Sequence, residues 1–189
     1  MRGPISMHIA AMRATRPGGR ENEIDGILHC HFRMGGAERP AYGSIVGSGV
    51  NATILHYREN NRVMADGDLL LIDAGAELDY YACDVTRTFP VNVKFTDAQR
   101  DVYALVLKAQ LAAIGECRAG ASYLAPHETA VRVLTEGMVK LGLLKGKPRD
   151  LIKKNAFRRF YMHGTGHWLG MDVHDVGRYR EGKAPRRFE

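Results

Sequence analysis

The amino-acid sequence predicts an α+β fold in which helices precede and follow a central β-hairpin. The hairpin is predicted over residues 69–91, where two apolar, β-rich runs flank a short polar turn at 77–79. Apolar residues recur at helical spacing before it, at 20–34, and after it, from about 96 to 141. The chain has 189 residues and 45% of them are hydrophobic, which is enough for a sizeable core. Because no linker or low-complexity segment interrupts the pattern, we predict one domain over residues 1–189.

Two helices are predicted before the hairpin. Residues 7–16 are typical of the last turns of a helix, which Pro17 and two glycines then stop. A second helix is predicted over 20–34, because its apolar residues lie three and four positions apart. Gly35 and the glycine after it provide the C-terminal stop.

Two short strands are predicted between these helices and the hairpin. The β-rich pieces at 44–46 and 53–57 surround a Gly-Ser-Gly turn, and His56 lies near the end of the second piece. No Lys-Ser/Thr pair follows the glycines and no helix begins there, so the turn does not fit a phosphate-binding loop. A tight connection between the strands is the prediction.

The hairpin contains two aspartates, Asp73 and Asp84, in the middle of its apolar runs. A turn centred between Leu78 and Asp79 places these two residues directly opposite each other. Directly opposed like charges destabilise a sheet, and a buried carboxylate needs a partner. No Lys or Arg lies between the aspartates, whereas a cation held by both would resolve the conflict. A solvated pair beside the turn, or a different register, is the alternative.

Two longer helices and one short helix are predicted after the hairpin. Residues 96–99 read Thr-Asp-Ala-Gln, a capping box that opens a helix reaching about Gly115. A second helix is predicted over about 126–141, and a shorter helical turn over 149–155. The predicted buried stripe of the first helix is apolar throughout and consists of Val102, Leu105, Val106, Ala109, Ala112 and Ala113.

The segment 160–177 holds three histidines, His163, His167 and His174, among glycines and aromatic residues. Packing does not readily explain so many imidazoles, although a glycine-rich turn with incidental histidines is the alternative. The spacing of His163 and His167 suits a zinc-binding helix, but the surrounding glycines make a regular helix poor. A zincin is excluded because its motif requires a glutamate directly after the first histidine, where Gly164 stands.

Composition argues against several classes of function. The net charge is +6, but no aromatic platform is interleaved with the basic residues, so nucleic-acid binding is not expected as the main function. No apolar run reaches the roughly 18 residues of a membrane helix, and we read no secretory signal at the N-terminus. The three cysteines lack a CxxC spacing, which favours a reducing, cytoplasmic location.

Taken together, the candidate residues indicate metal-assisted hydrolysis. Carboxylate oxygens combined with imidazole nitrogens suit manganese, cobalt, zinc or iron better than a structural, cysteine-rich zinc site does. Two metal ions that share a carboxylate can hold a hydroxide nucleophile at neutral pH and polarise a carbonyl group. The remaining histidines are suited to stabilising an oxyanion or shuttling a proton.

At these residues the sequence resembles a known family. The stretches LLLIDAGAE, ACDVTRTFPV, ILHYREN and HGTGHWLGMDVHDVG are similar to those of the Xaa-Pro aminopeptidases (aminopeptidase P), metallopeptidases with the pita-bread fold. The resemblance runs from about Met7 to the last residue. It implies a curved, mainly antiparallel sheet covered by helices. The implied reaction is release of an N-terminal residue that precedes proline, by attack of a hydroxide that bridges two metal ions.

The resemblance implies metal ligands and a partner. Asp73 matches a ligand of one metal ion, Asp84 matches the ligand that bridges both ions, and His167 matches a ligand of the other ion. Two divalent metal ions, usually Mn2+, are implied. The implied partner is a peptide substrate with proline at its second position, and a homo-oligomer is a further possibility for a full-length parent.

The resemblance also implies roles for the other histidines. His56 and His174 match histidines that surround the substrate and the transition state. His163 matches a histidine that lines the pocket near the proline. Prolidases, which are Xaa-Pro dipeptidases, are close relatives and provide an alternative activity.

The sequence departs from the family pattern in its last residues. The family has two further metal ligands, both glutamates, on strands beyond the DVHDVG stretch, but only twelve residues follow Gly177 here. Neither Glu181 nor Glu189 matches these ligands. We therefore expect an incomplete catalytic domain that lacks the family's N-terminal domain and has little or no peptidase activity alone. A non-catalytic binding module with the same fold is the second alternative.

Overall fold

The computed structural model describes residues 4–189 and divides the chain into two compact units. Unit 1 contains the chain up to Thr96 and Trp168–Val176, and unit 2 contains Asp97–His167 and Gly177–Glu189. Each unit combines helices with antiparallel strands, which confirms the predicted α+β class. The single catalytic domain over residues 1–189 stays a prediction, and each unit is described by itself.

Unit 1 contains two α-helices and two small sheets in the described part of the chain. The helices are α1 (Pro4–Ala14) and α2 (Glu21–Met34). The strands are β1 (Arg39–Pro40), β2 (Ile45–Ser48), β3 (Leu69–Asp73), β4 (Ala76–Leu78), β5 (Tyr81–Ala82) and β6 (Thr86–Pro90). They form two three-stranded sheets, in the orders β1-β4-β5 and β2-β3-β6, with antiparallel pairings.

The core of unit 1 lies between α2 and the sheet that contains β3. Ile24, Leu28 and Phe32 recur on one face of α2 and are each at most 1% exposed. Leu70 and Ile72 alternate along β3 and are both fully buried, as expected for one face of a strand. All five side chains belong to one hydrophobic core cluster, and the bounds of α2 confirm the helix predicted over residues 20–34.

The hairpin is present, but the predicted register is wrong. β4 and β5 are joined by a two-residue turn at Asp79 and Tyr80, both with positive φ, so the turn is centred one residue later than predicted. Asp73 consequently faces Thr86 rather than Asp84. The register is offset by two residues, and since side chains alternate with a period of two, the aspartates stay on one face as diagonal neighbours.

A glycine allows the two arms of the hairpin to approach each other beside Asp73. A Cβ atom added at Gly75 would lie only 1.5 Å from the carbonyl oxygen of Cys83. On either side of this contact, Ala74 donates to the carbonyl of Val85, and Cys83 donates to the carbonyl of Ala76. Any side chain at residue 75 would push the arms apart, which explains the glycine in the Asp-Ala-Gly sequence.

Unit 2 contains three α-helices and a short two-stranded sheet in the described residues. These elements are α3 (Asp97–Ile114), α4 (Ala125–Lys140), α5 (Pro148–Lys153), β7 (Arg180–Glu181) and β8 (Ala184–Pro185). Their bounds confirm the predicted helices to within a few residues. None of the helices in residues 4–189 has both the length and the apolar character needed to cross a membrane.

The predicted buried stripe of α3 is only partly correct. Ala109 and Ala113 are both 4% exposed, because these small residues lie in the core that α3 shares with α4. Val102 and Val106 belong to the same predicted stripe, yet they are 44% and 53% exposed. Helical periodicity thus located the helix but not the width of the face that unit 2 covers.

Candidate metal and catalytic site

The two aspartates of the hairpin meet at one tyrosine hydroxyl. Tyr42 lies shortly before β2, and its hydroxyl oxygen is 2.5 Å from Oδ1 of Asp73 and 3.0 Å from Oδ1 of Asp84. Ile45 at the start of β2 pairs with Asp73, which brings the tyrosine to this end of the sheet. A phenol carries a single proton, so Tyr42 cannot donate a full hydrogen bond to both carboxylates at once.

The electrostatics of this cluster favour a cation. Burial raises the pKa of Asp73, and the negative charge of Asp84 raises it further, although hydrogen bonds from Tyr42 and Thr86 oppose the rise. Burial and the hydrogen bond to Asp73 also raise the pKa of Tyr42, so its hydroxyl remains protonated as a donor. A divalent cation beside two such carboxylates would offset both the burial and the repulsion.

The donor set fits part of a site for a hard metal ion. Carboxylate oxygens suit manganese and similar divalent cations. Within residues 4–189, no three side chains of His, Cys, Asp or Glu form a group that could hold a metal ion. The structure therefore brings together the two carboxylates, and the assignment of Asp73, Asp84 and His167 as metal ligands stays a prediction.

His56 lies in an exposed turn, so the strand predicted over residues 53–57 is wrong. The chain instead forms a 3-10 helix at Gly49–Thr53 and then turns, and His56 adopts a left-handed φ of 56°. Ile54 and Leu55 are 53% and 58% exposed. These side chains have no buried face to pack against, which is what a half-buried strand requires.

The three histidines of the glycine-rich segment are divided between the units. His163 and His167 belong to unit 2, and His174 belongs to unit 1. No regular helix spans His163 and His167, as the glycines predicted. The part that holds His174 is attached to β5, because the backbone N–H of Ala82 donates to the carbonyl of Gly170 over 2.8 Å.

Unit 2 contains an apolar cavity of about 590 Å3 that His167 helps to line. His127 places Nδ1 2.8 Å from the hydroxyl oxygen of Thr165, which also hydrogen-bonds the hydroxyl of Tyr161. Burial lowers the pKa of His127, and the nearby charge of Arg158 lowers it further. The imidazole of His127 is therefore biased towards its neutral form.

Sequence reasoning missed two residues that organise unit 1, Tyr42 and Glu21. Tyr42 stands 31 positions before Asp73, and only the pairing of β2 with β3 brings them together. Glu21 reads as an ordinary acidic residue in the first turn of α2, yet it is fully buried. The one available signal for Tyr42 was a hydroxyl-bearing aromatic residue two positions before a predicted strand.

Comparisons with known proteins identify the family and the fold of the chain. Residues 5–189 match the model of metallopeptidase family M24. The chain is 53% identical over 176 residues to an Xaa-Pro aminopeptidase of Haemophilus influenzae, and 51% identical over 177 residues to that of Escherichia coli. The alignments cover 93% and 94% of this chain, but it spans only 41% and 40% of those relatives. The solved structure of Pseudomonas aeruginosa aminopeptidase PepP superimposes with a TM-score of 0.96 at 53% identity, covering 97% of this chain and 42% of that one. This likeness confirms the predicted pita-bread fold.

Proposed function

Because this chain belongs to metallopeptidase family M24, we propose that it functions in a metal-dependent Xaa-Pro aminopeptidase. Such an enzyme releases an N-terminal residue that precedes proline. The observation that carries the proposal is the meeting of Asp73 and Asp84 at the hydroxyl of Tyr42. The chain spans about two fifths of the curated relatives that it matches, so the activity, substrate and partners of a whole protein belong to the proposal.

We assign Asp73 and Asp84 as carboxylate ligands of two divalent metal ions and His167 as an imidazole ligand, with Mn2+ as the proposed metal. The metal ions, when bound, supply polarisation of the substrate carbonyl and activation of water at neutral pH. The proposal of divalent metal ions is supported by a zinc-substituted aminopeptidase P of Escherichia coli that was solved with product. Tyr42 holds the two carboxylates together and supplies the shared proton.

The spacing of residues in the Escherichia coli enzyme supports these assignments. Solved variants of that aminopeptidase P replace two aspartates that lie eleven positions apart, and Asp73 and Asp84 have the same separation. Other solved variants replace two histidines that are also eleven positions apart, as His163 and His174 are here. A further variant replaces a histidine seventeen positions before the first aspartate, which is the spacing of His56 and Asp73.

The remaining histidines orient substrate and move protons in this proposal. His56 and His174 donate hydrogen bonds to the carbonyl oxygen as negative charge develops on it, and His163 lines the pocket for the proline ring. Preorganised donors aimed at such a developing charge typically contribute about a hundredfold or more to the rate. A neutral imidazole can also accept the proton that the attacking water loses.

A reducing, cytoplasmic location is part of the proposal. Cys30, Cys83 and Cys117 all carry free thiols in the structure. Secreted proteins commonly bridge their cysteines, whereas proteins of the cytoplasm keep them reduced.

The test is manganese-dependent cleavage of an Ala-Pro-Pro peptide. The chain is compared with a form extended by its own downstream and upstream sequence to the length of the curated relatives. We expect cleavage after the first alanine by the extended form. We expect little or none by the 189-residue chain, because the described residues bring only two carboxylates together.

Two outcomes would contradict the proposal. Cleavage of the dipeptide Ala-Pro but not of Ala-Pro-Pro by the extended form would make it a prolidase. Failure to cleave either peptide, with the protein folded and Mn2+ bound, would make it a non-catalytic binding module.

A further inference from the structure

Glu21, at the start of α2, is buried among hydrogen-bond donors. Its Oε1 accepts from the backbone N–H and the hydroxyl of Ser48, over 2.6 and 2.7 Å, and lies 3.3 Å from Nδ2 of Asn51. Its Oε2 accepts from the hydroxyl of Tyr57 over 2.7 Å and from the backbone N–H of Arg62 over 3.0 Å. Neutral donors thus satisfy this carboxylate, and we call these five residues the Glu21 network.

The Glu21 network holds the loop of residues 49–62 at three places. Ser48 is the last residue of β2 and leads into the loop, and Arg62 leads out of it. The backbone N–H of Glu21 also donates to the carbonyl of Arg62 over 3.0 Å, which doubles the contact at the exit. Tyr57 lies within the loop and is only 4% exposed. One carboxylate therefore fixes both ends of the loop and one point in its middle.

His56 stands directly before Tyr57, at the exposed part of this loop. Its left-handed φ of 56° is a conformation that residues other than glycine rarely adopt, so it persists only where the surroundings enforce it. The buried, hydrogen-bonded Tyr57 supplies such a constraint on one side. A second constraint follows from Asn60, whose Oδ1 accepts from Val46 N–H and whose Nδ2 donates to the carbonyl of Ser44, both over 2.9 Å.

We infer that Glu21 is a positioning residue that fixes the conformation of His56 through Tyr57. The conformational part of this inference stands on the geometry of unit 1, and its consequence for turnover rests on the proposed function. The ionised state of Glu21 agrees with this inference. Burial alone would raise the pKa of Glu21, but hydrogen bonds from Arg62, Ser48 and Tyr57 outweigh burial and lower that pKa.

The first test measures amide hydrogen exchange of the chain and its Glu21→Gln variant. Glutamine keeps the shape but turns one acceptor oxygen into a donor, which then faces the backbone N–H of Ser48 or that of Arg62, and neither N–H can accept from it. We expect protection at His56 and Tyr57 to fall about tenfold more than protection at Leu70 and Ile72 in β3. An equal fall at all four amides would overturn the inference, because Glu21 would then be a general stabiliser.

Two further variants keep this test decisive. Leu28→Ala removes a fully buried side chain from the same helix and leaves the residues of the loop in place. It should weaken amide protection in β3 without any additional loss of protection in the loop. Tyr57→Phe removes one donor and keeps the ring, so it should reproduce the loop effect if Glu21→Gln does not fold. Unchanged loop protection in Tyr57→Phe would also overturn the inference.

The second test is a double-mutant cycle on the extended protein, with Mn2+ and Ala-Pro-Pro. We expect Glu21→Gln to lower kcat about tenfold with KM within about twofold, and to cost nothing further when combined with His56→Ala. Losses that simply multiply would overturn the catalytic part. Absence of cleavage by the unsubstituted extended protein would instead refute the proposed function, while hydrogen exchange would still decide the role of Glu21 in the loop.

Discussion

Unit 1 contains two acidic clusters, the Glu21 network and the pair of Asp73 and Asp84. They differ in the hydrogen bonds that their carboxylates accept. Glu21 accepts from several neutral donors, and these hydrogen bonds lower its pKa against the effect of burial. Asp73 shares the single hydroxyl of Tyr42 with Asp84, and burial together with that neighbouring charge raises its pKa. The pKa of Glu21 thus lies below its ordinary value, and the pKa of Asp73 lies above its own.

The difference distinguishes a carboxylate that stabilises the fold from a pair that we propose as metal ligands. A saturated carboxylate gains stability from its surroundings and needs no cation. Two carboxylates that are diagonal neighbours and share the one proton of Tyr42 repel each other when no cation is present, and a bound divalent ion would remove that cost. Substitutions in the two clusters should therefore have effects of opposite sign on stability.

The largest expected effect is on catalysis, from Asp84→Asn in the extended protein. An amide in place of this carboxylate weakens the proposed metal site, so kcat/KM for Ala-Pro-Pro should fall about a thousandfold or more. Steady-state cleavage with saturating Mn2+ measures the change. The matched control is Glu38→Gln, at an exposed carboxylate of the same unit outside the loop of residues 49–62, which should stay close to the parent rate. Parent-like activity of Asp84→Asn would remove the basis for a functional pair.

The second effect concerns the stability of the Glu21 network. Glu21→Gln should lower the free energy of unfolding by about 3 kcal/mol, since several charge-assisted hydrogen bonds are lost or reversed in a buried position. Urea unfolding of the metal-free chain measures the loss. Glu38→Gln, at an exposed position just after α2, should change the free energy by less than about 0.5 kcal/mol. A loss below about 1 kcal/mol for Glu21→Gln would show that the carboxylate is not essential to the loop.

The third effect is smaller and has the opposite sign. In the metal-free chain, Asp84→Asn should raise the free energy of unfolding by about 1 kcal/mol, because it removes the charge that repels Asp73. When the urea titration is repeated with Mn2+, the parent chain should have a higher free energy of unfolding than Asp84→Asn. Destabilisation by Asp84→Asn without metal would mean that the pair is satisfied as it stands, and the contrast between the clusters would fail.

The smallest effect is the pH dependence of the Glu21 network. Its folded pKa lies below the ordinary value of 4.5, so its stabilising contribution is complete above 4.5 and is lost as pH falls through the folded pKa. The stability gap between the parent and Glu21→Gln should shrink by less than about 1 kcal/mol between pH 6 and 4, and further below. Tyr57 and Arg62, which face the carboxylate, have raised pKa values and do not titrate there. A gap that widens in acid would contradict the lowered pKa.

Local patterns in the sequence were enough to predict the helices, the hairpin and the presence of two aspartates in the hairpin. Helical periodicity and glycine stops are properties of adjacent residues, and they placed α2 to within one residue. The motifs around Asp73, Asp84 and the three histidines of 160–177 indicated the family that the comparisons then showed. These conclusions needed no knowledge of which distant segments meet.

Tertiary structure alone decided the register of the hairpin, the conformation of His56 and the partners of both acidic clusters. The register depends on a turn in which Asp79 and Tyr80 both adopt positive φ, which no pattern in the turn predicted. Tyr42 reaches Asp73 only because β2 pairs with β3, and Glu21 reaches Tyr57 only because α2 packs beside the loop that follows β2. Such contacts join residues more than thirty positions apart, so their hydrogen bonds leave no periodic trace in the sequence.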